Sequence, residues 1–336
     1  MFRLFFIISI TLFFSGCAQK VYIQALIPAN VTDMANNKKV AVGEFKNDST
    51  GLSTKVESNI ASYMLNGKKY FEVLNRKNID QIIKEQKLQS SDLIDEKTAI
   101  RVGKIVGAQA IINGQETSSS AKEGKYKEKR KRCKKYSKEK KECVKYEYYT
   151  VTCHTTDATL SANINILALE SASVIHSDYF TKRYKANSCK NYGDILNSVQ
   201  ALQSLSKTIA YEFVSQLAPK YVHFRVTLLD DIDLDASDEQ EKKLENALKY
   251  IEAKRMDKAE LILSDLLDEF EGQSYVVAYN LAVVKEAFGK YQEAKNLYDL
   301  SDEIANEPID EINAAVIRIK KIIKDKNEAK RQIDAS

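Results

Sequence analysis

Between Val40 and Glu116 the spacing of apolar residues changes repeatedly from the short runs of strands to the 3.6-residue stripes of helices. Val40-Ala41-Val42-Gly43-Glu44-Phe45 reads as a buried strand, and Asn47-Asp48-Ser49-Thr50-Gly51 as the turn that ends it. Val56, Ile60 and Met64 recur at helical spacing, with Asn66-Gly67 as a stop signal. Phe71-Glu72-Val73-Leu74 predicts a second strand. Ile79, Ile82, Ile83 and Gln86 predict a helix, and Asp95 with Thr98 opens another whose inner face carries Ala99, Val102, Ile105 and Val106. Ala110-Ile111-Ile112-Asn113-Gly114 closes the block as a third strand. Such alternation predicts an α/β layer built on one sheet.

The phrases VAVGEFKND and KKYFEVLNRKNIDQIIKEQKLQSSDLIDEKTAIRVGKIVGAQAIINGQE resemble the core of the CsgG family, outer-membrane lipoproteins of curli-type secretion and their relatives. The resemblance covers roughly residues 20–225 and is firm to about 116. It implies a CsgG-like α/β sandwich domain. In the pore-forming member, a long loop after the first strand carries the aromatic and Asn residues of the channel constriction. Here only Lys46 to Ser53 fill that place, without an aromatic, so no constriction residue transfers.

Ahead of this block lies a targeting segment. Arg3 precedes the apolar run Leu4–Phe14, too short to count as a mature membrane span. Phe14-Ser15-Gly16-Cys17 resembles a lipobox with Phe in place of the usual Leu, which makes Cys17 the expected lipidation site and residues 1–16 the signal peptide. Ala18 after the Cys favours the outer membrane by analogy with lipoprotein sorting, with the chain facing the periplasm. Residues 17–39 read as an extended leader, which in the resembled family packs on neighbouring subunits and otherwise is a plain tether.

After Glu116 the composition changes. Ala121 to Lys145 holds 13 Lys and Arg against 4 Glu, a local charge of +9 in a chain whose net charge is +4. Lys129, Arg130, Lys131, Arg132, Lys134 and Lys135 are its densest part. A lipid-facing Lys near the midplane of a barrel costs ~2–4 kcal/mol, so this segment does not read as a membrane strand. It is expected to be a solvated, partly disordered insertion over about 118–153, or a patch for anionic partners such as phosphorylated lipid headgroups. Nucleic acid is not an expected partner of an exported chain. Ala158, Leu160, Ala162, Ile164 and Ile166 alternate with polar residues and predict a domain strand.

Cys133, Cys143, Cys153 and Cys189 remain once Cys17 is set aside. Their even number in a disulfide-permissive compartment predicts two bridges, with three connectivities open. Their spacing lacks the close Cys pairs of zinc sites, so no metal is expected.

Ile195, Val199, Leu202, Leu205, Ile209 and Phe213 predict a long helix stopped at Pro219, and Tyr221–Leu229 a last edge strand, which ends the α/β domain (40–229). Residues 230–240 read as an acidic linker. From 241 to 330 the pattern is helical, with Ala259 and Ala294 lying 35 residues apart in similar contexts. This resembles tetratricopeptide repeats, small Ala residues letting paired helices approach; the simpler alternative is a pair of helical hairpins. Either way the region is expected to dock proteins.

With three His (His154, His176, His223) and no GxSxG, HExxH or phosphate-binding glycine loop, the chain reads as a non-enzyme without cofactor. The expected function is that of an outer-membrane lipoprotein acting in envelope assembly or secretion by binding partner proteins through its repeats, itself a possible homo-oligomer. The alternative is a ring-forming curli-type secretion pore.

Overall fold

The computed structural model describes residues 19–74, 107–139, 142–189 and 195–335. The expected helices at Ile79–Gln86 and Asp95–Val106, and the lipobox with Cys17, lie outside these residues. The chain divides into two compact units, one made of Pro28–Lys220 with Lys330–Ser336, the other of the chain up to Ile27 with Tyr221–Ala329.

In the α/β unit β2 (Lys39–Val42) lies between β5 (Glu72–Val73) and β6 (Ala110–Tyr136) and is parallel to both. Then β7 (Cys143–Ala168) and β8 (Ser173–Ser188) add antiparallel neighbours, giving the order β5-β2-β6-β7-β8. Val40, Ala41 and Val42 are buried on both faces, as an interior parallel strand requires. Gly114 has no side chain for a close-packing reason: a Cβ there would lie 2.7 Å from the ring of buried Phe45.

The first helix, α1 (Leu52–Ala61), starts where the Asp48 carboxylate accepts the N–H groups of Leu52 and Ser53. It ends before Met64, which is half exposed. The Asn66-Gly67 pair is not a helix stop. Both residues have positive φ, 51° and 75°, and form the two-residue turn of a small hairpin joining β3 (Met64–Leu65) to β4 (Lys68–Lys69). Asn-Gly satisfies that left-handed turn better than any other pair, and this outweighed the helical spacing of Met64.

The second helix, α2 (Ser198–Val214), begins with a capping box between Asn197 and Gln200 and covers one face of the sheet. Its Phe213 stands edge-on to Phe180 at 6.4 Å, and Glu212 pairs with Lys182. Phe180 and Lys182 lie opposite Ala162 and Leu160, so the buried row Ala158, Leu160, Ala162, Ile164 and Ile166 is the face beneath α2. The C-terminal residues are fixed to this unit by buried Gln332, whose side-chain oxygen accepts Ala29 N–H at 2.7 Å.

The other unit is helical, with α3 (Asp238–Glu252), α4 (Met256–Glu269), α5 (Tyr275–Ala287) and α6 (Tyr291–Ile304) each packing on the next, followed by α7 (Asp310–Asp334) as far as Ala329. Its core also takes in a two-stranded sheet of β1 (Lys20–Ile27) and β9 (Lys220–Thr227). The leader is therefore neither a loose tether nor a free extension through this stretch: Val21, Ile23 and Ala25 are buried in the helical core. Likewise Tyr221–Thr227 is not an edge strand of the α/β sheet, and the break between units falls at Lys220/Tyr221 rather than in the acidic stretch. That stretch is held: Asp233 accepts the N–H groups of Tyr275 and Val276 at the start of α5, and Asn280 bonds both backbone groups of Leu229.

Candidate functional site

The basic segment is not a disordered loop. It is the outer half of a β-hairpin formed by β6 and β7, strands of 27 and 26 residues. At ~3.3 Å per residue such a strand runs about 90 Å. The third strand, β8, accompanies them only as far as His154, which faces Ser188. Beyond that point β6 and β7 continue as a two-stranded arm, at whose outer end Ser137 N–H donates to the Glu142 carbonyl. The strand-forming residues are on the return strand, where Tyr146, Tyr148, Tyr149, Thr150, Val151 and Thr152 suit a pleated surface. Their pairing draws the charged outgoing strand into register. This is the physical reason the lysine-rich run is ordered.

Two disulfides close the arm. Cys133–Cys143 lies near the tip, and Cys153–Cys189 ties the central strand to the end of β8. Of the three possible connectivities the structure has the one that joins neighbouring strands. Cys153 is fully buried, and Glu128 Oε2 lies 3.7 Å from its sulfur and 3.5 Å from that of Cys189. Sulfurs bonded to each other are not thiolates, so this trio offers no metal-binding set.

Direct cross-strand pairs share a face, which splits the predicted basic patch in two. Arg130 and Arg132 stand on one side with Glu128 and Glu147, and each is paired: Arg130–Glu128 at 2.8 Å and Arg132–Glu147 at 3.0 Å. Lys129 and Lys131 stand on the other, in line with Lys125 and Lys127. Lys135 pairs with Lys145 where the register slips beside Cys133, and Lys134 occupies that irregularity. Lys125 and Lys127 were the residues that sequence reasoning passed over, although the i, i+2 recurrence of Lys125, Lys127, Lys129 and Lys131 was there to be read.

At the base of the hairpin, the short loop after Phe45 is clamped. Buried Glu116 accepts the Ser49 N–H (3.0 Å), the Ser49 hydroxyl (2.7 Å), the Thr50 N–H (3.1 Å) and the Thr50 hydroxyl. Lys46 pairs with Gln115 as an isolated bridge, so the loop leaves the sheet already fixed at both ends.

In the helical unit Ala259 and Ala294 are fully buried on α4 and α6. The core is not wholly apolar. Glu286, with no exposed surface, accepts from Nε and Nη2 of Arg318 (3.0 and 2.9 Å) and from the Tyr298 hydroxyl (2.6 Å). Burial pulls the Arg318 pKa down, but the Glu286 hydrogen bonds and charge outweigh it and hold the guanidinium protonated. Burial and Glu286 together keep the Tyr298 phenol well above its usual range.

Residues 16–119 match the family model described as the curli production assembly/transport component CsgG. The match ends at Ser119, within β6 and inward of the arm. No curated protein matches the chain. Among solved structures, a variant PelC dodecamer from Paraburkholderia phytofirmans is 12% identical over 59% of this chain and 98% of its own, with a TM-score of 0.29. Lipoprotein GNA1162 from Neisseria meningitidis is 12% identical over 53% and 96%, with a TM-score of 0.29. The LpoB C-terminal domain from Salmonella enterica is 11% identical over 45% and 91%, at 0.25. None of these scores reaches 0.5, and no functional conclusion follows from them.

Proposed function

We propose that this protein is a non-catalytic lipoprotein of the bacterial outer membrane, anchored through Cys17, facing the periplasm, and working in envelope assembly or secretion by binding other molecules. The observation that carries this reading is the disulfide-closed basic arm, Lys125–His154. A rigid cationic ribbon without an apolar core is a surface for recognition and offers no enclosed place for chemistry. Its two disulfides suit an oxidising compartment outside the cytoplasm. The CsgG match over residues 16–119 and the lipobox-like Phe14–Cys17 point the same way. The helical unit, read as tetratricopeptide-like repeats around Ala259 and Ala294, serves as a second docking surface for envelope or secretion proteins, and the protein works as a homo-oligomer.

The pore reading is disfavoured by the arm itself. Both of its faces carry charge, so either face turned to lipid sets Lys or Arg in the bilayer at ~2–4 kcal/mol each near the midplane. The first test is membrane fractionation of the wild-type chain and Cys17→Ser, with the native mass of each in mild detergent. The expected result is a wild-type chain that stays with the membrane at high salt and a Cys17→Ser form that high salt releases without detergent. A large ring whose Cys17→Ser form still needs detergent would overturn the adaptor in favour of a pore.

A further inference from the structure

The sheet face beneath α2 does not end where the helix does. At the helix start Ser198 N–H donates to Glu123 Oε1 at 2.7 Å. Glu123 lies on the covered face, opposite Thr156, and the next residues outward on that face of β6 are Lys125, Lys127, Lys129 and Lys131. All four are exposed. Their cross-strand partners are His154, Thr152, Thr150 and Tyr148. From Lys125 to Lys131 and from Tyr148 to His154, this face therefore bears no carboxylate. Among the described residues none of the four lysines takes part in an ion pair. The ammonium of Lys131 lies 4.7 Å from the Tyr146 ring centroid.

The reverse face has a different composition, with Arg130 and Arg132 neutralised by Glu128 and Glu147. Charge on the arm is thus sorted by face. Alternate residues on a strand are ~6.6 Å apart, so the four ammonium groups form a row about 20 Å long. A flat row of separate, strongly hydrated point charges has no pocket and no planar forks to grip a single ligand. It matches a plane of phosphates. Tyr146 and Tyr148, 48% and 72% exposed at the outer end of the same face, add amphipathic rings of the kind that settle at headgroup depth.

We propose that this lysine face docks on an anionic lipid membrane, the arm lying along the headgroup layer without crossing it. The proposal deepens the binding role assigned to the arm above. The reverse face explains why the arm lies flat: Glu128, Arg130, Arg132 and Glu147 keep it in water.

The experiment uses the full chain carrying Cys17→Ser, so that no acyl chain contributes, in flotation with phosphatidylcholine vesicles containing or lacking phosphatidylglycerol. Each lysine near an anionic surface contributes about 5-fold in binding at low salt. Lys127→Thr/Lys129→Thr is therefore expected to weaken binding to the anionic vesicles about 25-fold, with binding falling further as salt rises. Arg130→Gln/Arg132→Gln removes the same charge from the reverse face and is expected to cost less than about 3-fold. Intact disulfides by mass and an unchanged melting temperature certify each variant as folded. Equal losses from the two pairs, equal binding to uncharged vesicles, or no vesicle binding alongside retained binding to soluble inorganic polyphosphate would each overturn the proposal. So would a change in self-association, measured by sedimentation, that accounts for the lost binding. Failure here leaves lipid anchoring at Cys17 to its own fractionation test, so the two readings fall separately.

Discussion

Removing the bond at the tip of the arm, by Cys133→Ser/Cys143→Ser, should loosen the arm and nothing else. Outward of Cys153 the arm is two-stranded, and an isolated two-stranded hairpin is marginally stable in water. The two cysteines are 10 residues apart. A crosslink closing a loop of that size removes chain entropy worth about 2.7 kcal/mol in the open state. Because the outer arm buries little apolar surface, that contribution acts on local opening rather than on unfolding of the sheet. At 1.36 kcal/mol per decade, opening should become about 100-fold more frequent. Amide hydrogen exchange with peptide resolution measures this directly. Exchange should accelerate by that order over Lys129–Tyr136 and Cys143–Thr150, while Ile111–Glu116 and Leu160–Ile166 keep their protection. Exchange at the tip that changes less than about threefold would refute the reasoning, because the ribbon would then hold itself together without its crosslink. A drop in global melting temperature would refute it differently, by showing that the arm and the sheet open as one.

Other consequences can be checked on the same protein. Arg318→Ala leaves buried Glu286 without its counter-charge and should destabilise the helical unit by about 3–5 kcal/mol in thermal melts, whereas Arg318→Met with Glu286→Leu should recover most of that loss. Glu116→Ala strips four donors of Ser49 and Thr50 of their acceptor; it should cost about 2–3 kcal/mol and accelerate amide exchange over Lys46–Leu52, with Glu116→Gln intermediate. Burial, then neighbouring Tyr63, pushes the Tyr70 phenol up to about 12, and burial does the same for Tyr279. Unfolded tyrosine ionises near 10, so the stability these neutral phenols contribute is complete below about pH 10 and is lost as pH climbs toward 12. Tyrosinate absorbance should show both among the last of the 18 tyrosines to ionise, together with unfolding; ionisation of all 18 near pH 10 in a still-folded protein would contradict this.

The parts of this fold that could be read in the sequence are those where one local signal acted alone. Val40–Val42 and Ala110–Ile112 had nothing but apolar runs, and they form the parallel centre of the sheet. The alternation from Ala158 to Ile166 predicted a domain strand with one wet face and the Ile195–Phe213 stripe a long helix, and the structure sets the helix on the buried face of the strand. Misreadings came where two signals competed. The spacing of Met64 suggested a longer helix, and the positive φ available to Asn66 and Gly67 made a hairpin instead. The lysine run suggested a loop by composition, and its partner was a tyrosine- and threonine-rich strand ten residues further on. A strand is a two-body object, and half of its evidence lies in the strand opposite. The pairing of β1 with β9 is the extreme case, because some two hundred residues separate the partners and no local pattern in either names the other.

That pairing also fixes the order in which the chain can complete itself. The first strand of the helical unit is made before the α/β unit, and its partner only after Pro28–Lys220 has emerged. Until then Val21, Ile23 and Ala25 have no core to enter, so a newly made chain carries an apolar strand with an unpaired edge. The α/β unit, continuous from Pro28 to Lys220 apart from its C-terminal clasp, is free to fold during that wait. Its folding draws Ile27 and Tyr221 toward each other and so shortens the search that β1 and β9 must make. A chain cut after Lys220 would keep the orphan strand for good, and its solubility would then report on that exposed edge and not on the competence of the α/β unit.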